Sequence, residues 1–246
     1  RLMDACAEHN KEMIVLDRPN PNGFYVDGPI LDMKHKSDVG WLPIPVVHGM
    51  TLGELALMIN GEKWLPQSRV CKLTVIPCKH YTHSSLYELP IAPSPNLPNI
   101  HSIYLYPSTC LFEGTVMSLG RGTSFPFEVY GHPKYKGSDF SFTPRSLPGA
   151  KNPPLLNQKC YGVDLRNVPD EYIWENGFDL SYLIDAYNNL KVGNSFFSSF
   201  FEKLVGVDYI RKMIVAGETH EKIKEMWRVD VEKFKKQRMP YLLYEE

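Results

Sequence analysis

Several features that would identify a function quickly are missing from this chain. It has no GxGxxG and no GxxxxGK[ST], so dinucleotide and triphosphate binding lose their usual support. HExxH is absent, and no GxSxG elbow surrounds Ser124. The five cysteines, Cys6, Cys71, Cys78, Cys110 and Cys160, contain no CxxC, and their odd number leaves at least one thiol unpaired. A chain of 246 residues can bury a core without disulfide or metal staples, so these cysteines read as small hydrophobes. Cys78-Lys79-His80-Tyr81-Thr82-His83 offers three potential zinc ligands, but in an unusual spacing. Nothing here requires a cofactor. No excess of one charge exists either: 27 basic against 28 acidic side chains give a net −1. With no long basic run, nucleic acid and anionic membrane are poor candidates for the main partner. No apolar stretch approaches the roughly eighteen residues of a transmembrane helix.

What is present is ordinary globular composition, enough for one large or two small domains. The opening Arg1-Leu2-Met3-Asp4-Ala5-Cys6-Ala7 carries neither an initiator Met nor a signal-peptide core and reads as the middle of a helix. The expectation is that the first domain begins before Arg1. Glu12-Met13-Ile14-Val15-Leu16-Asp17 is a strand-type run. Residues 18–48 hold Pro19, Pro21, Pro29, Pro43 and Pro45 with Gly23, Gly28 and Gly40, and read as one long functional loop. Thr51-Leu52-Gly53-Glu54 matches a capping box that opens a helix to about Asn60. Lys72-Leu73-Thr74-Val75-Ile76 then supplies a second strand, giving a crossover in a mostly parallel sheet.

The proline-rich residues 89–99 mark a stiff connection, and the domain boundary is placed after it, at 101/102. Beyond it, residues 103–106, 125–130 and 161–165 look like strands, and from Phe178 the pattern turns helical. Ile223, Met226, Trp227, Val231 and Phe234 form an apolar packing stripe on the last long helix. Phe196, Phe197, Phe200 and Phe201 likewise read as core. The expected fold is α/β: a Rossmann-like, mostly parallel sheet followed by a smaller α+β domain.

Three groups of residues can carry chemistry. Asp17-Arg18-Pro19-Asn20-Pro21 follows the carboxyl end of a parallel strand, where open α/β sheets place ligands. The prolines fix the backbone around Asn20, and the alternative is that Asp17 and Arg18 pair to brace the loop. His48 arrives at a helix start, where free amides favour polar ligand groups; a lone histidine is also often structural. Glu54 is explained by capping. The third group is the polar cluster Glu113, Thr115 and Arg121 among glycines, with Glu128 nearby. Arg121 and Glu113 can grip a carboxylate and a hydroxyl, or pair with each other. Glu128 can serve as a second acid or as a brace.

Read together, several long strings resemble one family. They are Val15-Leu16-Asp17-Arg18-Pro19-Asn20-Pro21, Pro43 to Ala56, Pro93 to Pro98, Tyr106 to Thr115, Gly120-Arg121-Gly122-Thr123, Pro126-Phe127-Glu128 and Arg238 to Tyr244. In order and content they are similar to the NamZ-type exo-β-N-acetylmuramidases. The resemblance implies a two-domain glycosidase of peptidoglycan recycling, with the site between the domains and peptidoglycan-derived saccharides as partners. It also implies work in the periplasm or outside the cell. The principal catalytic acid is expected from a Pro-Glu-His-Gly type motif before Arg1, to which Glu8-His9-Asn10 is not equivalent. Within this chain Glu113 is the candidate catalytic partner, and Asp17, Arg18, Asn20, His48, Thr115, Arg121 and Glu128 are candidate substrate ligands. Ser108 and Leu119 depart from the family pattern, Leu119 where an acidic residue is common. That departure supports an alternative, a saccharide-binding protein without catalysis.

Overall fold

A computed structural model describes residues 1–246. The elements in order are α1 (Leu2–Glu8), β1 (Glu12–Leu16), β2 (Asp27–Ile30), β3 (Pro45–Val47), α2 (Leu52–Gly61), β4 (Lys72–Ile76) and α3 (Ile100–Thr109). There follow β5 (Val129–His132), β6 (Ser141–Phe142), β7 (Cys160–Asp164), α4 (Asp170–Asn176), α5 (Ser181–Leu190), α6 (Phe201–Val205), α7 (Tyr209–Val215) and α8 (His220–Arg238). The fold is mixed α/β with a parallel strand pair and a largely helical C-terminal part. No helix is long and apolar enough to cross a membrane.

β1 and β4 pair in parallel from Glu12↔Lys72 to Leu16↔Ile76, with α2 as the crossover. Strand alternation sends Val15 inward, where it packs with Met3 of α1, Ala56 of α2, Leu65 and Cys71. The opposite face leaves Ile14, Leu16 and Ile76 exposed. α2 starts on the expected capping box: the Glu54 amide donates to Thr51 Oγ1 at 3.3 Å and the Thr51 amide to Glu54 Oε2 at 2.8 Å.

Three expectations about the elements need correction. Residues 18–48 are not all loop, because β2 and β3 pair antiparallel within them. Residues 103–106 belong to helix α3, not a strand. The Asn99 side chain caps it by accepting from the Ser102 amide at 2.8 Å, and Ile103, Tyr104 and Leu105 are all buried. A helix buried on nearly every side shows no amphipathic period, so its β-branched and aromatic residues mimicked a strand. The strand expected at 125–130 begins only at Val129, because Phe127 adopts a left-handed turn (φ 65°). It runs in an antiparallel sheet of order β5-β7-β6.

The main core joins both halves. Met50 and Met58 from around α2 pack in one cluster with Phe112, Phe178, Phe196 and Trp227. α8 lies along β2, where Trp227 Nε1 donates to Asp27 at 2.8 Å and Lys224 pairs with the same carboxylate at 2.9 Å. Within the expected α8 stripe, Met226 faces solvent and the buried series is Ile223, Trp227, Val231, Phe234 and Arg238. Phe200, expected in the core, lies 37% exposed instead.

Candidate functional site

Two adjoining concavities meet at the segment after α3, the first walled also by β2, β3, the residues between them and α6. One is a cleft of about 400 Å³ whose wall includes Trp41, His48, Tyr106, Cys110, Glu113 and Lys203. The other is a recess of about 410 Å³ lined by Glu113, Thr115, Leu119, Arg121, Pro154 and Phe200 among others. Glu113 and Phe200 border both, so the carboxylate stands at the junction. A larger hollow of about 510 Å³ beside α1 and α2 has a mainly apolar lining and offers few hydrogen-bonding groups to a sugar.

Chain geometry explains how the polar groups reach this place. α3 continues into a 3-10 turn, Cys110–Gly114, which carries Glu113 out of the buried helix to the cleft. Arg121 Nη2 donates to Glu113 Oε1 at 2.7 Å, and the guanidinium lies 5.0 Å over the Phe127 ring. Both charged side chains are 28% exposed, and Arg121 Nε, buried, has no partner in the protein. A partly exposed guanidinium bonded only through Nη2 can still donate to an anionic oxygen in the recess. Burial, helped by the neighbouring Cys110 and Glu113, pushes Tyr106 up to about 12, so it stays a neutral phenol. Burial likewise raises the Cys110 thiol to about 12, making it a poor nucleophile.

His48 leaves β3 immediately before a glycine turn. Its Nδ1 accepts from the Met50 amide at 3.1 Å. Burial first, and then the Arg238 charge, lower its pKa to about 4 against the opposing pull of Glu54. His48 is therefore a neutral ring near pH 7, a hydrogen-bonding group and not an acid.

Of the other candidate residues, only Thr115 lines the recess. Asp17 Oδ2 accepts from Thr51 Oγ1 and from the Tyr244 hydroxyl, both at 2.6 Å, and its Oδ1 accepts from the Gly53 amide at 2.8 Å. A Cβ at Gly53 would stand 2.8 Å from Asp17 Cγ, so glycine is what admits this carboxylate to the helix start. Asp17 thus occupies the helix N-terminus itself, a position at which α/β sheets often hold a ligand. It bonds the Arg18 amide at 2.9 Å, not its guanidinium. Asn20 Nδ2 donates to Met50 O at 2.9 Å. Thr115 Oγ1 donates to Phe112 O at 2.8 Å and shapes the recess through its own turn. Glu128 is buried and accepts from Asn99 Nδ2 at 3.1 Å, bracing the α3 cap. His83, from the histidine-rich string, turns inward: Nε2 meets Glu54 at 2.9 Å and Nδ1 faces Gly23 O at 3.2 Å.

Sequence reading missed Trp41, Tyr106, Lys203 and Arg238 as neighbours of the site. Only Arg238 carried a legible signal, since it falls in register with Trp227, Val231 and Phe234 on a stripe that should be apolar.

These features define a mixed α/β chain with a largely apolar cleft and an adjoining recess at which the Glu113–Arg121 ion pair stands. Residues 1–101 match the family described as "Exo-beta-N-acetylmuramidase NamZ, N-terminal", and residues 104–244 match its C-terminal counterpart. The chain belongs to this NamZ family. It is 36% identical to the "Peptidoglycan beta-N-acetylmuramidase NamZ" of Bacillus subtilis (strain 168), over 98% of this chain and 62% of that protein. The chain therefore spans less than two thirds of that relative. A crystal structure of a DUF1343 family protein from Bacteroides fragilis NCTC 9343 is 67% identical, with a TM-score of 0.98 over 100% of this chain and 69% of the other. A second DUF1343 protein of that organism is 26% identical, with a TM-score of 0.77 over 99% of this chain and 69% of its own.

Proposed function

We propose that this chain forms the cleft of an exo-acting glycoside hydrolase that releases terminal N-acetylmuramic acid from peptidoglycan fragments during wall recycling, outside the cytoplasm. The observation that carries the reading, beside the family, is the placement of Glu113 at the junction of cleft and recess, paired with Arg121 in the recess. N-acetylmuramic acid differs from other wall sugars by a lactyl carboxylate, and Arg121 lines the recess partly exposed, with only Nη2 bonded within the protein. Glycoside cleavage needs a proton donor on one side of the bond and a second group on the other. A carboxylate paired with arginine is suited to the second role, as acceptor or charge stabiliser. The family resemblance assigns the donor to a Pro-Glu-His-Gly type motif, a string that residues 1–246 do not contain. His48 contributes a hydrogen bond to a sugar hydroxyl or acetamido group.

One observation favours a second reading. Leu119, which stands where the family commonly has an acid, is buried against the recess, so a non-catalytic saccharide-binding protein would keep the cleft and lose turnover. The test is release of a chromophore from an aryl β-N-acetylmuramide by the full-length protein, beside the matching N-acetylglucosaminide. Selective turnover is expected, with Glu113→Gln lowering kcat on the order of 10²-fold. Binding of the muramide without turnover would support the second reading.

A further inference from the structure

The C-terminal end of α8 reaches across the molecule to the backbone beneath His48. Arg238, 4% exposed, donates from Nη1 to Gly49 O at 2.7 Å and to His48 O at 3.4 Å. Its Nη2 pairs with Glu246, and its Nε is buried without a partner. Burying a guanidinium is costly unless the site gains from it. The clamped backbone is itself unusual: Gly49 is left-handed (φ 61°), and a Cβ there would stand 2.6 Å from Tyr25 O and 2.8 Å from Arg238 Nη1. The turn brings the Met50 amide to His48 Nδ1 at 3.1 Å. Met50 is 1% exposed, and an unpaired amide in that position is unfavourable. Nδ1 must therefore keep its lone pair, and in the neutral ring the hydrogen resides on Nε2. No group of the protein bonds Nε2, and the residue lines the cleft.

We propose that Arg238 is a positioning residue, which holds the His48-Gly49-Met50 turn so that His48 presents an Nε2–H donor to an acceptor oxygen of the bound sugar. The inference rests on the glycosidase cleft reading for the identity of the ligand, but the tautomer and its dependence on Arg238 do not. The charged groups around the ring are Arg238 and Glu54 from behind, and Glu113 and Lys203 across the cleft. Burial, the largest influence, and the Arg238 charge both disfavour the protonated ring, which keeps His48 a donor and not an acid.

The experiment is 15N NMR of the His48 ring in the full chain, assigned by loss of its signals in His48→Gln. In the wild-type protein the account expects a single Nε2–H tautomer with midpoint near 4. Arg238→Lys keeps a charge but loses the planar fork, and is expected to mix the two tautomers and weaken N-acetylmuramic acid binding about tenfold, one hydrogen bond's worth. A wild-type ring with its hydrogen on Nδ1 overturns the inference, whether or not the variant folds. So does Arg238→Lys, folded by circular dichroism, with an unchanged ring. Failure of wild-type protein to bind N-acetylmuramic acid, with the ring in the Nε2–H tautomer, would contradict the cleft reading and leave the assignment of Arg238 to the turn standing.

Discussion

Glu54 shows most clearly how single residues hold the site in place. Its carboxylate is fully buried and accepts from the Thr51 amide, from His83 Nε2 and from the Leu243 amide. Burial pushes its pKa up, but the hydrogen bonds from His83, Thr51 and Leu243 outweigh burial and leave it below the ordinary value. A carboxyl depressed by folding stabilises the fold fully above its unfolded pKa, and that contribution disappears as pH falls through the lower folded value. Glu54→Gln should lower unfolding stability at pH 7 by about 2 kcal/mol in urea titrations, since an amide cannot accept all the hydrogen bonds the carboxylate takes from Thr51, His83 and Leu243. The difference from wild type should shrink as the pH drops below about 4. A variant as stable as the wild type at pH 7 would remove Glu54 from this account.

At the scale of elements, the start of α2 organises the neighbouring loops. Thr51 caps the helix while its hydroxyl also donates to Asp17, so Thr51→Ala is expected to cost about 2 kcal/mol. Thr51→Ser, which keeps the oxygen, should return most of that in thermal denaturation. This element was fully legible in sequence, because the capping box is local chemistry between residues three apart. β1, β4 and α8 were legible for a related reason, their periodicity. α3 was not: buried on nearly all faces, it has a composition that alone reads as strand, and only the Asn99 cap marks its beginning. The candidate site was legible in part. Glu113, Thr115 and Arg121 are near in sequence and meet in the recess. Asp17, Asn20 and Glu128 stand out in sequence by their position, and the structure gives each a bond within the protein, which depends on partners as distant as Tyr244.

On the scale of the whole molecule, the C-terminal segment fastens the two halves. The Tyr244 hydroxyl donates to Asp17 and accepts from the Cys78 amide at 2.9 Å. The His83 amide donates to Glu245 O at 2.8 Å, and the Leu243 amide reaches Glu54 at 2.8 Å. Deleting residues 243–246 removes these ties together with the Glu246 partner of Arg238. Calorimetry should show a fall in Tm of about 10 °C, equivalent to some three net hydrogen bonds. An unchanged Tm would mean that the shared core around Met50, Phe178 and Trp227 holds the halves without the segment.

The central claim is that the cleft and recess meeting at Glu113 receive a sugar acid. It is tested most directly by mapping backbone amide shifts of the protein titrated with N-acetylmuramic acid and, separately, with N-acetylglucosamine. The account predicts saturable shifts at His48, Glu113, Thr115 and Arg121 with the muramic acid, and much weaker binding of the glucosamine because it has no carboxylate for Arg121. Equal binding of both sugars, or shifts confined to the apolar hollow beside α1, would contradict it.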